Sequence, residues 1–233
     1  MDYALKMLID VHTHNTPRPG VPSIVDVSGV GDCCFDYEYF TVGIHPKSIG
    51  EDWESQLSGI ENIANKKGFV GVGECGLDKY SDSPRELQEK VFEAQLSLSQ
   101  RINTPIFIHC VRLYTDALRI IKKVGFNRPA IFHGYNGNPA VTAQLLKLQN
   151  TYFSFSEQTF ALPETSGAKS LPLIPPQRTL TESDCNGATD LGVVVQKIAE
   201  IKQLDSASLQ QIIYENFMRI VNSALPRNSN NCP

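Results

Sequence analysis

Eight short β-rich runs, each closed by a polar or glycine-bearing turn, constrain this chain more than any other feature. They read as Leu8–Val11, Ile24–Val27, Phe40–Ile44, Phe69–Val72, Ile106–Ile108, Ala130–Phe132, Thr151–Phe155 and Arg178–Leu180. Between the later runs lie stretches of helical period, at about 51–67, 84–102, 113–124, 138–149 and 190–203, and a last one follows at about 206–223. Ser83-Pro84 and Asn138-Pro139 read as N-caps with proline at the first helical position, and Ser206 as the cap of the last helix. Strands alternating with helices predict an α/β fold of the TIM (β/α)8 type rather than an open sheet, and 233 residues suit it. Between His14 and Ile24 there is no room for a helix, and 28–39 is thin. The barrel is therefore expected to be slightly distorted, with reduced helices after the first strands. Residues 1–225 are expected to form one domain, and 226–233 a disordered tail.

In such a barrel, side chains from distant sequence converge only at the C-terminal ends of the strands. The first run ends in His12-Thr13-His14, and on a strand the two imidazoles share a face. The third runs into Gly43-Ile44-His45-Pro46, and the fourth into Gly73-Glu74-Cys75-Gly76-Leu77-Asp78. The fifth ends at His109, the sixth at His133, and the eighth runs into Glu182-Ser183-Asp184. All five histidines of the chain fall at such ends. Four of them, His12, His14, His109 and His133, with Glu74 and Asp184, make six nitrogen and oxygen donors. That is too many for one tetrahedral zinc and suits two divalent metal ions sharing a carboxylate, with Glu74 the natural bridge. Asp184 is placed to take a proton from a nucleophilic water.

Composition narrows the partners. A hydrophobic fraction of 41% and a charged fraction of 20% describe a soluble globular protein with an ample core. The net charge of -4 gives no whole-molecule attraction to nucleic acid, so phosphate binding must be local. No signal-peptide layout and no membrane-length apolar run is visible, and six cysteines show no Cys-x-x-Cys spacing. Reduced thiols and a cytoplasmic location are expected. The oligomeric state is open, and a monomer is compatible with the sequence.

These pieces, together with Ile108-His109-Cys110, His133-Gly134-Tyr135-Asn136-Gly137 and Glu215-Asn216-Phe217, resemble the TatD-type metal-dependent deoxyribonucleases of the amidohydrolase-like barrels. The resemblance runs in the family's order over nearly the whole chain, and Gly-Glu-x-Gly-Leu-Asp is its most specific part. It implies one ion among His12, His14, Glu74 and Asp184 and another among Glu74, His109 and His133, with His45 beside the scissile phosphate. It implies hydrolysis of phosphodiester bonds in DNA, 3′ to 5′, by attack of a metal-bound hydroxide, with zinc, magnesium or manganese. A small phosphodiester is the other substrate it allows. The chain departs from the family in its short length and in the reduced loop after Asp184, and its basic residue near His109 is Arg112, one place later than is common.

Two other functions stay open on the residues: a two-metal ester or amide hydrolase, such as a deacylase or cyclic amidase, and a metal-binding protein without turnover. Individual residues have plainer readings too. Asp184 could cap the next helix, and Glu182 could be a surface carboxylate or orient a ligand. Asp78 and Arg112 read as supporting rather than catalytic. Cys75, Cys110 and Cys185 each follow a ligand, so strand alternation turns them away from the metals. Tyr135 reads as a base-stacking or rim side chain, and Lys47, Lys79 and Arg112 as positive charge at the mouth. Cys33 and Cys34 receive no role.

Overall fold

The computed structural model describes residues 8–14, 16–28, 36–162 and 165–224. Eight parallel strands follow one another around a single sheet in sequence order. They are β1 (Asp10–Thr13), β2 (Ser23–Asp26), β3 (Tyr39–Val42), β4 (Phe69–Asp78), β5 (Ile106–Val111), β6 (Ala130–Phe132), β7 (Thr151–Phe155) and β8 (Thr179–Thr181). The circle is closed at one point: Thr13 and Asp184 form a parallel bridge, and the Thr181 hydroxyl donates to the Ile9 carbonyl at 2.6 Å. Buried Asp10 reinforces the seam by accepting from the backbone and hydroxyl of Ser183, at 2.8 and 2.7 Å. The expected TIM-type barrel is present.

Helices α1 (Trp53–Ile63), α2 (Arg85–Arg101), α3 (Tyr114–Val124), α4 (Pro139–Leu145), α6 (Leu191–Lys202) and α7 (Ser206–Ala224) fall where the periodicity put them. A short α5 (Ser166–Ser170) and three 3-10 turns fill the β7–β8 connection, which the sequence pattern did not reveal. No helix occurs among the described residues between β1 and β3, as the proline-rich spacing required. Met7, Cys33, Cys34 and the expected tail at 226–233 lie outside the described residues.

Three caps differ from expectation. Helix α2 starts at Arg85 after Pro84, with no side-chain cap, and the Ser83 carbonyl accepts from the Gln88 side chain. Helix α6 is capped by Asp190, which accepts from Gly192 and Val193, and not by Asp184. At α7 it is Asp205 that accepts from the Ser208 amide. Asn138 does cap α4 as read, accepting from Val141.

Polar side chains buried in the helix layer fix the loops that carry chemistry. Gln95 of α2 accepts from the Ile44 amide at 2.7 Å and donates to its carbonyl at 3.0 Å, which pins the turn into His45. Gln88 accepts from the Asp78 amide at 2.8 Å and holds the end of β4. Asn216 of α7 donates to the Pro176 and Thr179 carbonyls and anchors the start of β8. Each gives a partner to a buried backbone group, and each would be costly to lose.

Candidate metal centre

Strand β4 runs four residues past Glu74, to Asp78, so this carboxylate sits within the barrel rather than at its edge. Glu74 is 4% exposed, and its amide donates to Asp26 Oδ1 at 2.9 Å. Around its two oxygens stand all five histidines. Oε1 lies 2.6 Å from His109 Nδ1, 2.7 Å from His133 Nε2 and 3.3 Å from His45 Nε2. Oε2 lies 3.2 Å from His14 Nε2 and 3.6 Å from His12 Nε2. Asp184 Oδ1 lies 3.9 Å from His12 Nε2 and 3.7 Å from His14 Nε2, and His133 also has a nitrogen within 4.8 Å of an Asp184 oxygen. The five histidines therefore converge on one carboxylate that divides them between its two oxygens, with Asp184 beside His12, His14 and His133.

The strand ends explain the convergence. His12 lies in β1 and His14 just beyond it, and the two backbones are tied to Asp184 by His14 N–H to Asp184 O at 3.2 Å and Asp184 N–H to His12 O at 3.0 Å. His109 lies inside β5, paired with Gly76 of β4, and His133 follows β6 directly.

Further carboxylates face the second nitrogens of these rings. His109 Nε2 is 3.1 Å from Asp78 Oδ2, which also pairs with Lys47 Nζ at 3.0 Å. His14 Nδ1 is 3.4 Å from Asp26 Oδ2. His133 Nδ1 is 3.9 Å from Oε1 of Glu182, which is fully buried and accepts from Gly134 N and Ser154 Oγ. The surface reading of Glu182 is thereby excluded. Asp26 was missed, although Ser23-Ile24-Val25-Asp26 carries the same signal that singled out Glu74: an acid leaving an apolar strand.

Charge and burial oppose each other here. Burial alone would raise the Glu74 carboxyl, but the His133 charge and the bonds from His109 and His133 hold it well below the usual range. Burial likewise works against a charged His133, yet Glu74 outweighs it and lifts the ring to about 10. His14 is raised, first by its bond to Glu74 and against its own desolvation.

These donors fit a divalent cation. His12 is fully buried, and among the described residues neither ring nitrogen has a hydrogen-bond partner; His133 Nδ1 is in the same position. A buried polar nitrogen left this way costs free energy, and a cation shared with nearby carboxylates relieves it. Sets drawn from these side chains, His12–His14–Glu74, His12–His133–Asp184 and His45–Glu74–His109, each place their donor atoms within 4.8 Å of one another.

Two cavities flank the centre. One, of about 790 Å³, is lined by His14, Asp26, Val42, Ile44, His45, Lys47, Gln56, Ile60 and Ile63. The other, of about 240 Å³, is lined by Asn136, Ser156, Gln158 and Thr159; both share His109, His133 and Asp184. Two expectations fail at this rim. Tyr135 neither stacks nor lines a rim: it is wholly buried, with its hydroxyl 2.6 Å from Thr142 Oγ1. Cys75 and Cys110 are buried as expected, but Cys185 is exposed and lines the larger cavity. Asp184 adopts φ 53°, a left-handed turn that breaks the alternation on which the Cys185 reading relied.

Comparison with known proteins agrees with this geometry. A family profile described as "TatD related DNase" matches residues 32–222. The uncharacterized metal-dependent hydrolase YabD of Bacillus subtilis is 28% identical over 200 residues, covering 80% of this chain and 78% of its own length. The 3'-5' ssDNA/RNA exonuclease TatD of Pantoea ananatis is 31% identical over 155 residues, covering 64% of this chain and 58% of that protein. In fold, the TatD homologue YJJV of Escherichia coli superposes with a TM-score of 0.80 at 19% identity, over 95% of this chain and 99% of that one. Since the profile spans most of the sequence and a barrel of this shape carries the donors, the chain belongs to the TatD-related DNase family and is a metal-dependent hydrolase.

Proposed function

We propose that this protein hydrolyses phosphodiester bonds at the 3′ ends of single-stranded nucleic acid, DNA in the first place, with two divalent cations. The observation that carries the proposal is the division of histidines between the two oxygens of Glu74. His12, His14, Glu74 and Asp184 would hold one cation, and Glu74, His109 and His133 the other. Such a pair supplies a water that is nucleophilic at neutral pH and neutralises charge on phosphoryl oxygens. The imidazoles suit zinc, and the carboxylate oxygens suit manganese and magnesium as well. The name of the Pantoea relative supports single-stranded nucleic acid as the substrate.

The chain's own groups divide the remaining work. Asp184, its side chain 27% exposed beside the cavities, takes the proton of the attacking water. His45 Nδ1 accepts from the Lys47 amide at 3.1 Å, which leaves the proton on Nε2, directed at the centre, where it holds a phosphate oxygen. Asp78 and Asp26 fix the ring orientations of His109 and His14. The larger cavity, with Val42, Ile44, Ile60 and Ile63, suits a nucleobase, and the smaller polar one a sugar or phosphate. The donor set is complete within one chain, which is compatible with a monomer whose single domain is residues 1–225 as the active unit. Among the described residues no helix is long and apolar enough to cross a membrane, and the buried free thiols of Cys75 and Cys110 support the cytoplasm as its location.

The test is release of nucleotide from a 3′-labelled single strand across several divalent ions, beside small esters and lactams. Metal-dependent release confined to the oligonucleotide supports the proposal; turnover of only esters or lactams replaces it with the amidohydrolase reading. Two further outcomes are expected. Asp78→Asn should keep the fold by circular dichroism and lower cation affinity by about 10–100-fold, the scale of losing a carboxylate behind a ligand histidine. Because a proton and a cation compete for His133, which is lifted to about 10, apparent affinity should climb as pH rises from 6.5 toward 10. Calorimetry in buffers of different ionisation enthalpy should then detect proton release on binding.

A further inference from the structure

Cys185 Sγ stands with a nitrogen of His14 and an oxygen of Asp184 in a set whose members are all within 4.8 Å of one another. The backbone fixes it there: Asp184 is held in its left-handed turn by Asp184 N–H to His12 O and by His14 N–H to Asp184 O, so the next residue swings toward the cavity. Cys75 and Cys110, within β4 and β5, are sealed in the core instead. An independent observation lies across the same gap, where fully buried His12 turns an unpartnered Nε2 toward Asp184 Oδ1 at 3.9 Å. Donors sharing one tetrahedral zinc stand about 3.5 Å apart, so the sulfur has at most about 1.3 Å to close. Its side chain is exposed.

We propose that Cys185 is a ligand of the cation held at His14 and Asp184, and that it biases this position toward zinc over magnesium and manganese. The inference rests on the two-cation reading. A thiolate is softer than any other donor in the set, and soft sulfur selects zinc where oxygen donors favour the harder ions. On binding, the S–H proton passes to solvent and the sulfur lone pair faces the cation, so one proton is released for each cation bound there.

Cobalt titration of the full chain and of Cys185→Ser, followed by absorption, tests this directly. In the unsubstituted chain a near-ultraviolet sulfur-to-cobalt charge-transfer band should accompany the visible ligand-field bands. In Cys185→Ser the visible bands should persist, the near-ultraviolet band should vanish, and zinc affinity should fall by more than about tenfold, with manganese affinity little changed. Visible bands without charge transfer in the unsubstituted chain overturn the assignment of Cys185 and leave the cation centre standing. A charge-transfer band of equal strength in Cys185→Ser places the sulfur elsewhere and overturns it as well. If neither protein shows cobalt bands, the two-cation reading falls and this one with it.

Discussion

Glu74→Ala is expected to lower metal-dependent release of nucleotide from a 3′-labelled single strand by about a thousandfold, the scale of removing a preorganised charged group from a buried reaction centre. Every histidine of the chain lies within 3.6 Å of this side chain, so no neighbour can stand in for it. Asp184 stands near His12, His14 and His133 and Asp78 near His109, so neither carboxylate is shared by all five rings. The loss should appear as fewer bound cations and not as unfolding, because the Glu74 amide bond to Asp26 is a backbone contact that alanine retains. Circular dichroism and elemental analysis of the variant separate the two. Unchanged release would remove Glu74 from the centre of the account.

Gly76→Ala is expected to have the largest effect on stability. Gly76 sits in β4 at φ 144°, opposite His109 of β5, and a Cβ there would come 2.0 Å from the His109 carbonyl oxygen. The obstacle is backbone in the middle of a closed sheet and cannot rotate away. Strain of this kind with a forced strand shift costs about 3–5 kcal/mol. For a chain of 233 residues that lowers Tm by on the order of 10 °C. Gly59→Ala is the matched control, since its Cβ in α1 would meet nothing within 4 Å. It should leave Tm unchanged or slightly raised. A Tm for Gly76→Ala equal to that of the unsubstituted chain would contradict the β4–β5 geometry on which the position of His109 rests.

The parts of this molecule that are legible in its sequence are those with a fixed period. Alternation along β1 puts His12 and His14 at one centre, and apolar runs closed by turns locate all eight strands. What the period does not carry is harder to read. Strand β4 continues to Asp78 although Gly73 and Gly76 look like its end, because these glycines let neighbouring backbone approach. Asp26 and Glu182 draw their importance from burial beside imidazoles brought from other strands. The orientation of Cys185 turns on a left-handed Asp184, a conformation in which the sequence shows no glycine. Tyr135 lies two residues beyond His133 yet turns into the aromatic core against Phe153 and Phe155.

Crystals grown with manganese or zinc and measured at the absorption edge should show two anomalous peaks about 3.5–4 Å apart, the spacing of two-metal hydrolytic sites, with Glu74 touching both. A single peak, or peaks that leave Glu74 without a cation, would contradict the two-cation centre.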